Sequence, residues 1–277
     1  MTAAERKAEE EAVEFSRVII MMKVSVLEKS SKKLKLLIEG IDFAFANALR
    51  RTMMSEIPTM AIELVDIEEN SSGLFDEAIA HRLGLIPMKF PDTYNLKDEC
   101  KCNGKGCSRC EVVFSLEKKG PCTVMSGDLV SNDDKVSPVD KNVPIVELLE
   151  NQSIKLFATA QLGFGRDHAK WQASITGYQN LPIVRVSSGD SKYIDVCPAG
   201  VFKKEGGKVR VNAIKCILCM RCTEVSDAVK VSKDESAFIF DIESISGLSA
   251  NDVFEKALDA LENESGAFIK ELRRIVK

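Results

Sequence analysis

Phe43-Ala-Phe-Ala-Asn47-Ala-Leu-Arg50-Arg51-Thr-Met-Met-Ser-Glu56-Ile-Pro58-Thr-Met-Ala61 is the stretch on which the fold turns. Phe45, Leu49 and Met53 recur every four residues, which stacks them on one face of a helix. Ala46 and Ala48 allow a neighbour to come close. Asp42 supplies an N-cap, and the helix must end before Pro58. Arg50 and Arg51 fall on its flank as a solvated edge. Just upstream, Lys23 to Glu39 reads as strand, turn, strand. Val24 and Val26 alternate with polar residues, Glu28 to Lys33 makes the turn, and Leu34, Leu36 and Ile38 alternate again.

The far end of the chain offers a second helix. Ser249-Ala-Asn-Asp252 reads as a capping box. Phe254, Leu258, Leu261, Ser265, Phe268, Leu272 and Ile275 then follow at steps of four and three, a seam of period 3.5 broken by one serine. A helix from about 250 to 276 is roughly 39 Å long at 1.5 Å per residue. Val253, Ala257, Ile269 and Val276 widen the stripe. So long a helix outreaches a small sheet, so contact with another subunit is the expectation. Packing on its own sheet is the alternative.

Cysteines carry the chemistry. Cys216-Ile-Leu-Cys219-Met-Arg-Cys222 is a C-x2-C-x2-C tripod, and Cys197-Pro198 supplies a fourth thiolate with a fixed turn behind it. The pattern predicts one iron–sulfur cluster on Cys197, Cys216, Cys219 and Cys222, and four thiolates favour [4Fe–4S] over a three-iron form. A zinc site or a cysteine-rich surface loop is the alternative. A two-cluster arrangement would need cysteines at Ser226, Ser187, Asp190 and Tyr193, and none is there. With no second centre to pass electrons to, the cluster reads as structural or regulatory. A second group, Cys100, Cys102, Cys107 and Cys110, packs four thiols into eleven residues, with Gly104 and Gly106 letting the loop turn. Such a compact S4 cage suits zinc, with a second cluster and an empty site as the alternatives. Cys122 reads as a small hydrophobe.

Composition narrows the class. With 277 residues, of which 45% are apolar, the chain can build two or three domains with a real core. A net charge of −4 argues against gripping nucleic acid unaided. Nine cysteines without a signal peptide point to the reducing cytoplasm, where clustered thiols bind metal. No apolar run approaches a membrane span. Residues 1–21 are rich in Glu, Lys and Ala and read as a mobile charged extension. No carboxylate trio for two-metal chemistry and no phosphate-binding P-loop stands out. Gly163-Phe-Gly165-Arg-Asp-His168 reads as a turn, Trp171 as core, and His81 and His168 as structural residues rather than catalysts.

The helix quoted first resembles the signature helix of the alpha-like assembly subunits of RNA polymerase. Asp76-Glu77-Ala-Ile-Ala-His81-Arg82-Leu83-Gly84-Leu85-Ile86-Pro87 is similar to the block that follows it in that family. The ferredoxin-like cysteine pattern narrows the resemblance to the archaeal D-type members, and it covers nearly all of 22–277. It implies an α+β fold in three parts. Residues 22–60 and 236–277 form a split alpha-like dimerisation domain, 61–184 an inserted mixed α/β domain, and 185–235 a ferredoxin-like iron–sulfur insert. Within them, Ile62, Leu64 and Val65 read as a strand, as do Ile154 to Leu162. Ser131 to Asn142 reads as a loop, and Val201-Phe202 and Val209 to Val211 as a hairpin around Glu205-Gly206-Gly207.

The resemblance implies a non-catalytic scaffold subunit of DNA-directed RNA polymerase. It would heterodimerise with the smaller alpha-like subunit L, be joined by small subunits N and P, and form the platform for the large catalytic subunits. DNA would be met only through the complex. The dimerisation contacts would come from Phe45, Leu49, Met53, Phe254, Leu258, Leu261, Phe268, Leu272 and Ile275. Two other classes compete. A ferredoxin-domain electron-transfer subunit of a cytoplasmic oxidoreductase would cycle with a reductase. A zinc-dependent nucleic-acid module would bind DNA with steep salt dependence.

Overall fold

A computed structural model describes residues 22–187, 191–206 and 208–276. The charged extension 1–21 lies outside the described residues. In chain order the elements are β1 (Lys23–Lys29), β2 (Lys33–Glu39), α1 (Phe43–Ser55), β3 (Thr59–Asn70), α2 (Asp76–Gly84), β4 (Met88–Lys89), β5 (Glu111–Lys119), β6 (Cys122–Met125) and β7 (Val130–Ser131). They continue with β8 (Ser137–Pro138), β9 (Pro144–Leu148), β10 (Ser153–Gly163), β11 (Ser174–Val186), α3 (Tyr193–Val196), β12 (Phe202–Glu205), β13 (Lys208–Val211), α4 (Arg221–Val225), β14 (Val229–Ser244) and α5 (Ala250–Ile275). The mixture is α+β. One four-stranded sheet runs β1-β2-β14-β11, and a second runs β3-β10-β5-β7.

The chain divides into two compact units. Among the described residues, the first comprises 22–28, Lys35–Asn47 and Tyr178–Phe240. The hairpin expected from Lys23 to Glu39 forms, and Leu36 and Ile38 are buried. Val24 and Val26 are not: they stay exposed on β1, which sits at the sheet edge. Asp42 Oδ1 accepts the Phe45 N–H at 2.7 Å, so the predicted N-cap opens α1. The ring of Phe43 stands edge-on to Phe238 and Tyr178, at 5.3 and 5.9 Å between centroids. A separate small core of Tyr193, Val201, Phe202, Ala228 and Val229 packs with Cys197, Cys216 and Cys222. The expected hairpin forms as β12–β13, pairing Phe202 with Val211, with Gly206 in the left-handed region at φ 56°.

The second unit comprises, among the described residues, Lys29–Leu34, Ala48–Gly177 and 241–276. Its main sheet is antiparallel, and β10 alternates as period 2 demands. Ile154, Leu156, Ala158 and Ala160 point into the core, where they meet Phe114, Leu116, Ile79 and Leu83. Phe114 is fully buried, so Phe114→Ala is expected to cost about 3–5 kcal/mol, read as a lower urea midpoint at unchanged slope. Gly163 and Gly165 serve close approach rather than a ligand. A Cβ on Gly163 would sit 2.4 Å from the Trp171 ring, and one on Gly165 2.4 Å from the Met54 carbonyl oxygen. Trp171 is core, and its indole N–H donates to the Gln161 carbonyl at 3.3 Å. His168 caps a short 3-10 turn, its Nδ1 accepting the Lys170 N–H at 3.1 Å. Its expected structural role holds, whereas His81 is exposed on α2.

The capping box at the start of α5 forms as the sequence predicts. Ser249 Oγ accepts the Asp252 N–H, and the Asp252 carboxylate accepts the Ser249 N–H, both at 3.1 Å. Only the first turns of α5 are held by the core, through Ala250, Val253 and Ala257. From Glu262 to Val276 every residue is exposed.

Candidate functional site: two cysteine quartets and an uncovered helix face

Cys100, Cys102, Cys107 and Cys110 converge between Lys97 and β5, with all four sulfurs within 4.8 Å of one another. The Sγ–Sγ distances are 3.6 Å for Cys100–Cys107, 3.7 Å for Cys102–Cys110 and 3.8 Å for Cys107–Cys110. A tetrahedron with ligands about 2.3 Å from a central zinc has edges of about 3.8 Å. The quartet therefore fits one tetrahedral ion. Backbone conformation makes this possible: Asn103, Gly104 and Gly106 all take positive φ, at 55°, 76° and 87°. At Gly106 a Cβ would also lie 1.9 Å from the Glu111 carboxylate.

Amides favour the thiolate form within this knuckle. The Cys107 N–H donates to Cys110 Sγ at 3.3 Å. The Arg109 backbone N–H, followed by the Cys100 thiol, brings the Cys107 thiol down to about 7. Burial pushes Cys110 up to about 12. Four thiolates crowded this closely need a cation to stay ionised together.

The knuckle is stapled at its neck. The Asn95 N–H donates to the Arg109 carbonyl at 2.9 Å, and Lys97 Nζ donates to Glu111 Oε1 at 2.5 Å. One residue earlier, the Tyr94 hydroxyl donates to the Asp133 carboxylate at 2.5 Å. Cysteine spacing alone missed Lys97 and Glu111. Their opposite charges, one three residues before the first thiol and one directly after the last, were the available signal.

Cys197, Cys216, Cys219 and Cys222 are arranged differently. They do not draw together to the spacing of a single ion. Instead all four line one apolar pocket, walled by Val184, Ala199, Val201, Phe202, Ile217 and Val231. Leu218 and Met220, each between two tripod cysteines, are left-handed at φ 55° and 62°. Turned this way, successive amides can line an anion-binding concavity. The Val201 N–H donates to Cys197 Sγ at 3.5 Å. Burial raises the thiols of Cys216 and Cys222, and neighbouring thiols add to this. Cys219 alone of the four is exposed. Gln179 Nε2 donates to the Cys216 carbonyl at 3.1 Å and ties the tripod to β11.

The positions that a two-cluster protein would fill with ligands are packed for other purposes. Tyr193 is buried edge-on against Phe202, and Ser226 Oγ accepts the Ala228 N–H at 3.2 Å. Cys122 is half-buried, with its thiol against the Lys119 carbonyl, and has no ligand partner among the described residues.

The residues expected at a subunit contact divide sharply. Leu49 and Met53 are fully buried inside the chain, so as folded they offer nothing to a second molecule. Their four-residue spacing marked a packed face, and this chain's own core covers it. Phe45 is half-buried on α1, and Phe254 and Leu261 are half-buried on α5. Leu258, Phe268, Leu272 and Ile275 are exposed, Phe268 at 69% and Ile275 at 81%, and Ile269 and Val276 join them. This is a continuous apolar stripe over the outer half of one helix. No helix among the described residues is long and apolar enough to cross a membrane.

Comparison with known proteins bears on both units. Residues 65–183 match the family model of the RNA polymerase Rpb3/RpoA insert domain. The chain is 40% identical over 254 residues to the DNA-directed RNA polymerase subunit Rpo3 of Methanosarcina mazei, covering 88% of this chain and 96% of that one. It is 38% identical to the Rpo3 of Archaeoglobus fulgidus, covering 93% and 99%. With the Rpo3 of Pyrococcus furiosus it shares 35%, covering 92% and 98%.

Proposed function

We propose a role that starts from one fact: this chain belongs to the Rpo3 family of DNA-directed RNA polymerase subunits. Within the polymerase it is a non-catalytic assembly subunit. The observation that carries this reading is the 40% identity extending over 96% of a relative's length. An electron-transfer subunit finds no support in these relatives.

In finer detail, the chain heterodimerises with the smaller alpha-like subunit L. Subunits N and P join the pair, and the assembly forms the platform for the large catalytic subunits. It works in the cytoplasm and meets DNA only through the complex. Residues 22–60 and 236–277 act as the split dimerisation domain, and the apolar stripe on α5 supports that assignment. Residues 61–184 act as the inserted domain, which the family match at 65–183 supports. Phe254, Leu258, Leu261, Phe268, Leu272 and Ile275 carry the contact, with Phe45 at its margin. Leu49 and Met53 hold the helix beneath.

The two quartets hold different groups. Zinc sits on Cys100, Cys102, Cys107 and Cys110, supported by sulfur spacings of 3.6–3.8 Å. A [4Fe–4S] cluster sits on Cys197, Cys216, Cys219 and Cys222 in the ferredoxin-like insert at 185–235. Support for it comes from an apolar pocket ringed by four separated thiols. When bound, each group cross-links chain segments that bury little surface by themselves.

Anaerobic co-expression with subunit L tests the whole reading. The expected product is a one-to-one heterodimer with about one zinc and about four iron and four sulfide per chain. A compact monomer that ignores L at micromolar concentration would sink the scaffold role.

A further inference from the structure

We propose that Lys97 is a positioning residue for the metal at the Cys100–Cys110 centre. Its ammonium, held by the Glu111 carboxylate, offsets the surplus negative charge that four thiolates leave around a divalent ion. The inference rests on the zinc reading of that quartet.

Four thiolates and one divalent cation sum to two negative charges. In a half-buried knuckle that charge favours releasing the ion with a proton-bearing thiol or losing it to a competing ligand. The loop holds other cations, Lys101, Lys105 and Arg109, but all three are exposed and therefore screened. Lys97 differs. Its side chain is only 28% exposed, and it bonds to Glu111, which is 19% exposed. Its backbone is also part of the site, because its carbonyl accepts the N–H of Cys100 at 3.3 Å. Glu111 follows Cys110 directly and is fixed in β5 opposite Gln161. The pair therefore joins the entrance of the ligand loop to its exit. In agreement, the hydrogen bond that Lys97 donates to Glu111 raises its ammonium above its usual value against the opposing effect of burial, and Cys110 and Cys102 add to the rise.

Zinc release from the full chain, followed with a chromophoric chelator, separates charge compensation from a mere clasp. Lys97→Met is expected to speed release by about 10- to 100-fold, the usual scale for outer partners of metal ligands. Lys97→Arg keeps the charge and should release zinc within about threefold of the parent, on the same scale. Glu111→Gln keeps an acceptor and removes an anion, so its release should also stay close to the parent rate. Parent-like release from Lys97→Met overturns the proposal. Equal acceleration in Lys97→Met and Glu111→Gln overturns it too, because the pair would then act only as a mechanical tie. A parent chain that binds no zinc would instead bring down the reading of the quartet itself, a failure distinguishable at the first measurement.

Discussion

Replacing Phe268 and Leu272 together with glutamate is expected to leave the chain folded and to weaken its capture of the smaller alpha-like subunit by at least about 100-fold. Each residue is a large apolar group, 69% and 47% exposed, on the half of α5 that the core does not reach. Interface anchors of this kind typically contribute about 2 kcal/mol or more apiece, and tenfold in affinity is about 1.4 kcal/mol. Monomer stability should not move, since neither side chain is buried in the free chain. Met53→Ala supplies the contrast. That side chain is fully buried, so its loss is expected to cost about 2–5 kcal/mol of folding stability while leaving the exposed stripe intact. Size-exclusion and titration calorimetry with the purified partner read the first effect, and urea unfolding reads the second. Undiminished binding by the double glutamate variant would move the contact off α5.

Cys219→Ser is expected to reduce bound iron and sulfide from about four each per chain to below one, on the [4Fe–4S] reading. Cys219 is the informative choice because it is the exposed member of its quartet. Losing its sulfur removes a ligand and almost no packing, so any loosening that follows comes from the missing cluster. The small core of Tyr193, Val201 and Phe202 would then have little to hold the tripod loop. Limited proteolysis should cut between residues 191 and 231 faster than in the parent. Ser226→Ala is the control, since that hydroxyl only closes a turn onto Ala228, and iron should be retained. If Cys219→Ser keeps its iron and resists protease, the four thiols do not share one cluster.

Much of this arrangement was legible in the chain because it is local. Asp42 capping α1, the Ser249–Asp252 box, the hairpin around Gly206 and the convergence of Cys100, Cys102, Cys107 and Cys110 rest on interactions spanning a few residues, and each forms where the sequence placed it. What pattern could not reveal is which surface covers which. Leu49 and Met53 share a period with exposed contact residues, yet they lie in the core. Val24 and Val26 alternate like inward residues, yet they face solvent. Periodicity reports a face, and only tertiary packing decides what lies over it. The same limit hid the reason for Gly163, which is a tryptophan ring brought against it from eight residues away. Lys97 and Glu111 were hidden similarly, because their meeting requires the loop between them to close first.

From Glu262 onward the last helix shows solvent a ribbon of phenylalanine, leucine and isoleucine that nothing among the described residues covers. A chain made in excess of its companion would carry that sticky ribbon through a crowded cell, where it invites clumping and degradation. On the heterodimer proposed above, production of the two polypeptides would have to be matched in amount, and surplus copies should be short-lived. The supply of the scarcer one would then set how many polymerases a cell can build.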